Sequence, residues 1–418
     1  MNEQQNKMRN ENSMNVCLVH YTFCPSIGGV ESHLLTLGTE LKKKGHDVYV
    51  LAGSREGSPP FEEIQGIKVY REDLMNRFKI REQKAQLGLS AEKINPSVQY
   101  KIKEMYKCFA EEKGIDIVHA HNLHSFLPEH ALALTELHDK GLPTVLTIHN
   151  VWTKSISDDI LKRAKWDAIV TVSQHLRRRI REQAPYLRNI HLIYHGVDTV
   201  LFSPANRSDK WAKELGFYER PAIIHPGRML PKKGVFYSIK AMERVRKKFP
   251  NAVLILTLSE DISDWTGKFK RYKEQLLRTV KKLRLEANII THSFPYLELP
   301  AIYNHCQVVI NPAIWEEPFG LVPVEAMSCA KPVIVTKSGG FVESVIDNVT
   351  GFIIKKKDVN TLAGNICLLL HDKRLASRMG KAGRQLVLKY FNSDRMGQEV
   401  IELYRSAIKK EKATKQGI

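Results

Sequence analysis

An α/β protein built from two parallel-sheet domains is the fold class this sequence predicts, and three observations predict it. Short apolar runs that read as buried strands alternate with helical patterns along nearly the whole chain, the order expected of β-α-β units. At 418 residues the chain is too long for one ordinary core and suits two. The alternation pauses at a polar stretch, 199–220, and then begins again.

The elements follow in order. Residues 1–13 are polar, lack the apolar core of a signal peptide and are expected to be disordered. The first strand reads Asn15-Val16-Cys17-Leu18-Val19-His20, followed by a loop, Tyr21 to Gly29, ending in Gly28-Gly29. Val30, Leu34, Leu37 and Leu41 recur at helical spacing, and Gly45 stops that helix. Asp47 to Leu51 is the next strand. This opening resembles a Rossmann-like unit without the G-x-G-x-x-G fingerprint, so a dinucleotide reading is weak. The charged stretch from Arg71 to Lys103 is expected to hold amphipathic helices. The alternation then resumes with strands at 115–119, 143–148 and 168–172 and helices at 128–138 and 158–165. Ser173 is the expected N-cap of a helix carrying Arg177, Arg178, Arg179 and Arg181. That basic run is either a solvated face or a patch for anionic lipid or an acidic acceptor. Strand 190–194 runs into His195-Gly196-Val197-Asp198, and 199–220 reads as a linker.

The second half has strands at 221–225, 252–258, 288–291, 308–312, 332–336 and 351–354. Helices are expected between them, at 268–283, 298–305 and from Leu321 to Cys329, and others continue to the C-terminus. The basic run Lys409 to Lys415 is expected to fray.

Chemistry concentrates on the loops that follow strands, where open parallel sheets bind ligands. After strand 221–225 comes Pro226-Gly227-Arg228-Met229-Leu230-Pro231-Lys232-Lys233-Gly234. Arg228 and Lys233, five residues apart across a Gly/Pro loop, either converge on one anion or are two exposed cations. After strand 308–312 comes Glu316-Glu317-Pro318-Phe319-Gly320-Leu321-Val322-Pro323-Val324-Glu325. Pro318 and Gly320 fit a turn that opens a helix at Leu321, whose unpaired amides attract anions. Glu317 and Glu325 are either ordinary helix charges or acceptors for a vicinal diol. A third loop, Lys337-Ser338-Gly339-Gly340-Phe341-Val342-Glu343, lies on the same edge. In the first half, His121-Asn122 closes a strand, and His149-Asn150 closes the next. A metal reading of His119, His121, His124 and His130 lacks a completing Asp, Glu or Cys. No Asp-x-Asp stands at a strand end, and no required metal is expected.

The block from Asn311 to Glu343 resembles the signature of glycosyltransferase family 4, retaining enzymes of the GT-B fold. Glu317 and Glu325 match that family's pair of glutamates with seven residues between them. The resemblance runs from about Asn15 to the C-terminal helix and is tighter in the second half. It implies two Rossmann-like parallel-sheet domains facing each other across a cleft. The expected boundaries are 14–200 for an acceptor-binding domain and 201–392 for a nucleotide-sugar domain, with a final helix, 393–418, returning to the first. It also implies roles. Arg228 and Lys233 meet the donor diphosphate, Glu325 the ribose diol and Glu317 the sugar hydroxyls. Gly320 and Leu321 supply helix amides. Phe294 lies beside the base, although Ser293 stands where the family often has Gly. Gly28-Gly29 faces the diphosphate and acceptor, and His121 lies beside the donor sugar. No separate cofactor is implied; the donor is a nucleotide sugar, by family frequency a UDP-sugar such as UDP-N-acetylglucosamine.

Composition bounds the partners. Lys plus Arg number 64 against 45 Asp plus Glu, a net charge of +19, which points to acidic partners. The six cysteines form no Cys-x-x-Cys pair, as expected in a reducing, cytoplasmic setting. No apolar run reaches a membrane span of about 18 residues, so the basic surface allows at most peripheral contact with the inner face of a membrane. A small polar acceptor is favoured over a lipid or polysaccharide, and no nucleic acid is expected. Two other classes compete. A GT-B phosphorylase would need a pyridoxal-phosphate lysine, for which no compelling site is seen. An epimerase would act on the nucleotide sugar without an acceptor. A non-enzymatic binder would not explain paired carboxylates and paired cations on one sheet edge.

Overall fold

The computed structural model describes residues 13–25, 28–90, 93–123, 128–150, 160–258 and 267–415. The tail expected to be disordered (apart from Ser13), His124 and the start of the helix expected at Asp158 lie outside these residues. The chain divides into two compact units. One takes in the described residues of Met1–Pro25, His33–Tyr194 and Met396–Ile418; the other takes in those of Ser26–Ser32 and His195–Arg395.

The first unit holds an eight-stranded sheet. Its strands are β1 (Asn15–Val19), β2 (Asp47–Gly53), β3 (Phe61–Ile64), β4 (Ile67–Glu72), β5 (Ile117–His121), β6 (Thr144–Ile148), β7 (Ala168–Thr171) and β8 (Ile190–Leu192). Their order is β3-β4-β2-β1-β5-β6-β7-β8, and only β3 runs antiparallel to its neighbour. Every residue of β1, β5, β6 and β7 is buried, as strands covered on both faces require. Helices α1 (Gly29–Lys43), α2 (Arg77–Gln86), α3 (Pro96–Lys113), α4 (Pro128–His138) and α5 (Gln174–Gln183) join them. Caps set the starts of three. Asn76 accepts from Phe78 and Lys79, Asn95 from Ser97 and Val98, and Ser173 from Leu176. On α5, Leu176 and Ile180 face inward while Arg178, Arg179 and Arg181 are exposed.

Two local expectations change, and one element was not foreseen. The strand read at 115–119 lies at 117–121, which puts His119 and His121 within β5. The β3–β4 hairpin turns on Gln65 at φ 51° and Gly66 at φ 78°, the paired positive angles of a tight two-residue turn. Charged alternation hid it from a search for apolar runs. The stretch 199–220 is no linker: Phe202 and Phe217 are buried, and α6 (Lys210–Glu214) lies between them.

The second unit holds a six-stranded, wholly parallel sheet: β9 (Ala222–His225), β10 (Val253–Thr257), β11 (Ile289–His292), β12 (Val308–Asn311), β13 (Val333–Thr336) and β14 (Gly351–Ile354). The order is β11-β10-β9-β12-β13-β14. Around it lie α7 (Val235–Lys248), α8 (Gly267–Lys282), α9 (Leu299–His305), α10 (Leu321–Ser328), α11 (Phe341–Ser344), α12 (Val359–His371) and α13 (Lys373–Tyr390). Ile223, Ile239, Leu254, Ile310, Ile334 and Ile366 are completely buried in one core. Each such side chain stabilises the unit by about 1.5–3 kcal/mol.

The last helix, α14 (Ser393–Lys415), enters the first unit at Met396. Met396, Val400, Ile401 and Tyr404 on it are buried. It stays helical through the basic run that was expected to fray.

Both sheets share one property that positions chemistry. Strand order reverses beside β9, between β9 and β12, and again beside β1, between β1 and β5. At such switch points the loops leaving the carboxyl ends diverge and open a crevice.

Candidate active site

In the second unit the two switch-point loops carry the charged residues. The loop after β9 contains Arg228, Lys232 and Lys233, and the loop after β12 contains Trp315, Glu316 and Glu317. They are joined by backbone: Ile314 N–H donates to the Lys232 carbonyl at 2.9 Å. At Gly234, φ is 80°, and a Cβ would lie 2.0 Å from the Pro312 oxygen. Only glycine permits that approach.

Lys233 Nζ donates to Glu317 Oε1 at 2.6 Å, and Trp315 Nε1 donates to the same oxygen at 2.7 Å. Lys232 Nζ sits 3.7 Å from the centroid of the Trp315 ring. Burial and the charges of Lys233 and Arg228 push the Lys232 ammonium down to about 8. Three cations therefore crowd one loop, and among the described residues Lys233 alone of the three pairs with a carboxylate, at 2.6 Å. Such a loop gains most from an added anion. Arg228 is exposed and Lys233 half-buried.

The third loop fixes the second. Gly340 N–H donates to the Glu317 carbonyl at 2.7 Å, Gly339 N–H to Glu316 Oε2 at 2.6 Å, and Glu317 N–H to Ser338 Oγ at 3.2 Å. Lys356 pairs with the other oxygen of Glu316. Gly320 precedes α10 at φ 93°, and a Cβ there would strike the Phe341 ring at 2.2 Å. Leu321 is the first residue of α10, whose unpaired amides face its N-terminal end.

Glu325 lies in the second turn of α10 and is 95% buried (5% exposed). The Tyr303 hydroxyl on α9 donates to its Oε2 at 2.9 Å. Desolvation pushes its carboxyl up to about 7, opposed by that hydrogen bond. Phe294, after β11, is buried; its ring centroid is 4.8 Å from His292 and 5.3 Å from Trp211. Neither Tyr303, Trp211 nor the Lys232–Trp315 contact was found from sequence. A lone aromatic 22 residues from Glu325 gives no local signal.

In the first unit the carboxyl edge carries histidines. His121 Nδ1 and His149 Nε2 are 2.9 Å apart, and the His33 ring lies 5.5 Å and 5.1 Å from theirs. His20 Nδ1 is 2.8 Å from the His121 carbonyl. His119 is bonded on both nitrogens, to Tyr404 Oη and Thr147 Oγ1, each at 2.6 Å. Asn122 at φ 56° turns the chain after β5 and accepts from His149 N–H at 2.7 Å. Burial holds His33 and His119 neutral, down to about 3, and His121 well below the usual imidazole range. His121 Nε2 is buried with no partner among the described residues.

His33, His121 and His149 each offer a nitrogen within 4.8 Å of the others, a grouping that sequence spacing did not reveal. The 2.9 Å contact between two of them is a hydrogen bond, shorter than the roughly 3.3 Å between two nitrogens on one zinc at 2.0–2.1 Å. The set reads as hydrogen-bonded imidazoles. His130 stands apart, bonded to Tyr106 Oη at 2.7 Å and to the Leu74 carbonyl at 2.9 Å. Gly28 accepts from Ser32 N–H at 2.9 Å, and Gly29 opens α1. Residues Gly28 and Gly29 fall in the stretch grouped with the second unit.

No helix among the described residues is long and apolar enough to cross a membrane.

Comparison with known proteins adds the following. Residues 27–201 match the model described as Glycosyltransferase Family 4, and residues 207–386 match Glycosyl transferases group 1. A glycogen synthase of Mycobacterium tuberculosis is 26% identical over 430 residues, covering 94% of this chain and 95% of that one. A GDP-mannose-dependent alpha-(1-6)-phosphatidylinositol monomannoside mannosyltransferase of Mycolicibacterium smegmatis is 28% identical, covering 57% and 62%. Among solved structures, a sucrose-phosphate synthase of Thermosynechococcus elongatus is similar with a TM-score of 0.73 at 20% identity, covering 94% and 98%. Anabaena HepE, solved with UDP and glucose, is similar with a TM-score of 0.72 at 19% identity, covering 94% and 100%.

Proposed function

The chain belongs to the family 4, group 1 glycosyltransferases and has their GT-B fold, and from that premise we propose that it is a retaining enzyme moving a hexosyl group from a UDP-sugar to a hydroxyl of a small polar acceptor. The observation that carries this reading is the second unit's switch point. There Arg228, Lys232 and Lys233 share one loop, Lys233 pairs with the buried Glu317 of the neighbouring loop, and the helix that this second loop leads into carries the buried Glu325.

On this reading Arg228, Lys233 and the amides at Gly320 and Leu321 stabilise the leaving diphosphate as its charge develops. Glu325 accepts from the ribose diol. Glu317, held by Lys233 and Trp315, accepts from sugar hydroxyls. Phe294 lies on the base side. His121, neutral with a buried Nε2, contacts the transferred sugar, and Gly28-Gly29 leaves room for the diphosphate and acceptor. An oxygen of the departing diphosphate takes the acceptor's proton, so the sugar is attacked and released on one face. No side chain needs to be a covalent nucleophile. We propose further that no metal is required; turnover lost to chelator and restored only by divalent metal would refute that part. A similar protein solved with UDP and glucose supports the choice of base and sugar class.

The test is thermal-shift screening of UDP-, GDP- and ADP-sugars, then mass spectrometry of product from candidate acceptors and NMR of its anomeric proton. No stabilisation by any nucleotide sugar, or inversion at the anomeric carbon, would sink the reading. Release of an epimerised nucleotide sugar without acceptor would favour an epimerase.

A second reading sends the sugar to an acceptor at an anionic membrane surface. The exposed arginines of α5 and the similarity to a phosphatidylinositol-mannoside enzyme favour it. Flotation with phosphatidylglycerol vesicles at low and high salt separates the two.

A further inference from the structure

Glu325 is an unusual ligand for a diol because so little of it is supported. Its side chain is 95% buried (5% exposed), yet among the described residues its carboxylate has one polar partner, the Tyr303 hydroxyl on Oε2. Oε1 takes none. Tyr303 is completely buried at 0% exposure, its ring 6.1 Å from the Phe202 ring, so its hydroxyl is fixed by packing. A phenol in that position donates one proton and locks one rotamer of the carboxylate. The remaining oxygen is left to accept.

We propose that Tyr303 is a positioning residue for donor binding, holding Glu325 so that Oε1 is presented to the ribose hydroxyls of the nucleotide. This rests on the reading that Glu325 meets the ribose. Without the phenol, the carboxylate keeps its burial but loses its only donor, rotates, and protonates more easily. The ribose diol then meets a mobile, partly neutral group.

The pH consequence has a definite sign. Burial raises the Glu325 carboxyl and the Tyr303 hydrogen bond lowers it, so removal of the hydroxyl moves it higher. Donor binding that needs the carboxylate weakens as pH falls through that value, and it weakens at higher pH in the variant. The other ionisable groups packed here are Cys329, which ends α10, Tyr296, Lys331 and Arg384 of α13. Arg384 donates to the Phe202 and Ser328 carbonyls, and Lys331 to the Asn304 carbonyl at 2.8 Å. These cations are thus held on backbone oxygens.

The test is calorimetric binding of UDP, GDP and ADP to the full chain, continued between pH 5.5 and 8.5 with the tightest of them and its 2′,3′-dideoxy analogue. Wild type, Tyr303→Phe, Glu325→Gln and the double variant are compared, with melting curves to confirm folding. Wild type should bind the ribose form at least tenfold tighter than the dideoxy form. Tyr303→Phe should lose most of that preference, raise the Kd of the ribose form about tenfold with that of the dideoxy form within twofold, and move the acid limb upward by about one pH unit. The double variant should bind like Glu325→Gln. If wild type showed no ribose preference, or bound none of the three nucleotides, the assignment of Glu325 would fall and the proposal with it. If wild type showed the preference but Tyr303→Phe kept it with an unmoved acid limb, the positioning role alone would be overturned.

Discussion

Lys233 presents an ammonium that is one-fifth exposed and already shares a carboxylate oxygen with the indole of Trp315. On the proposed reading, a diphosphate arriving there would meet a charge that is oriented before it binds. Replacing Lys233 with Ala, or Arg228 with Ala, is expected to lower turnover by roughly two to three orders of magnitude, the scale of a lost transition-state charge contact. Steady-state kinetics checks this, and unchanged kcat in both folded variants would remove these residues from the leaving-group site. The histidines of the first unit make a different kind of prediction. His33 and His119 are held neutral down to about 3, whereas the unfolded rings protonate near their ordinary 6.5. Below that value the unfolded chain binds more protons than the folded one, so stability falls with pH from about 6.5 downward. Each such histidine adds about 1.4 kcal/mol per pH unit to the slope. Denaturant unfolding at pH 7.5, 6 and 5 measures it. A stability flat to pH 5 would mean that the rings are not buried as described.

The loops respond to substitution as units, because glycine lets their backbones touch. A Cβ at Gly339, where φ is 48°, would meet the Glu317 carbonyl oxygen at 2.0 Å and its nitrogen at 2.8 Å. Gly339→Ala is expected to cost about 1–3 kcal/mol and to raise donor KM, because relieving the clash moves Glu317. Gly364 in α12 has open space beside it, so Gly364→Ala should instead stabilise by about 0.5–1 kcal/mol. Melting of the two variants side by side separates loop strain from a general intolerance of alanine. The same contrast explains what was legible beforehand. Parallel strands such as Val308–Asn311 and Val333–Thr336 are buried on both faces, so they stand out as unbroken apolar runs, and the α/β class follows. Phe61–Ile64 alternates exposed and half-buried positions and gives no such run; its signal was the Gln65-Gly66 turn. Phe202 and Phe217 sit in polar surroundings, where two aromatic anchors are easily passed over. At the candidate site, residues close in sequence, such as Arg228 with Lys233 and Glu317 with Glu325, could be grouped by spacing. Tyr303, Trp211, His33 and His149 join their neighbours only through folding, across 22 to 116 positions, and no local pattern announces that.

At the scale of the whole chain, the covalent order and the packing order differ: α14, which follows the second unit in sequence, packs in the first unit from Met396 on. The Tyr404 hydroxyl meets His119 Nδ1 at 2.6 Å, 285 positions away in sequence, on the strand whose end carries His121. Glu411 Oε1 is 3.8 Å from His138 Nε2, which also faces Asp167 at 3.6 Å. The Asp167 carboxylate beside it does most to hold the His138 imidazole above its ordinary range. That tie is complete below about 6.5 and fades as pH climbs through the raised value. Deleting 396–418 should therefore uncover apolar surface around β5 and β6 and lower hydrogen-exchange protection there. The second unit's strands β9, β12 and β13 should keep theirs. Tyr404→Phe is the finer version: it keeps the ring but leaves a buried imidazole nitrogen without its partner, at a cost of about 1–3 kcal/mol. If the deletion left β5 protection unchanged, the helix would be an appendage and His119 would not depend on it. If Tyr404→Phe alone lowered protection throughout β5, the hydrogen bond would matter more to this unit than the apolar face of the helix.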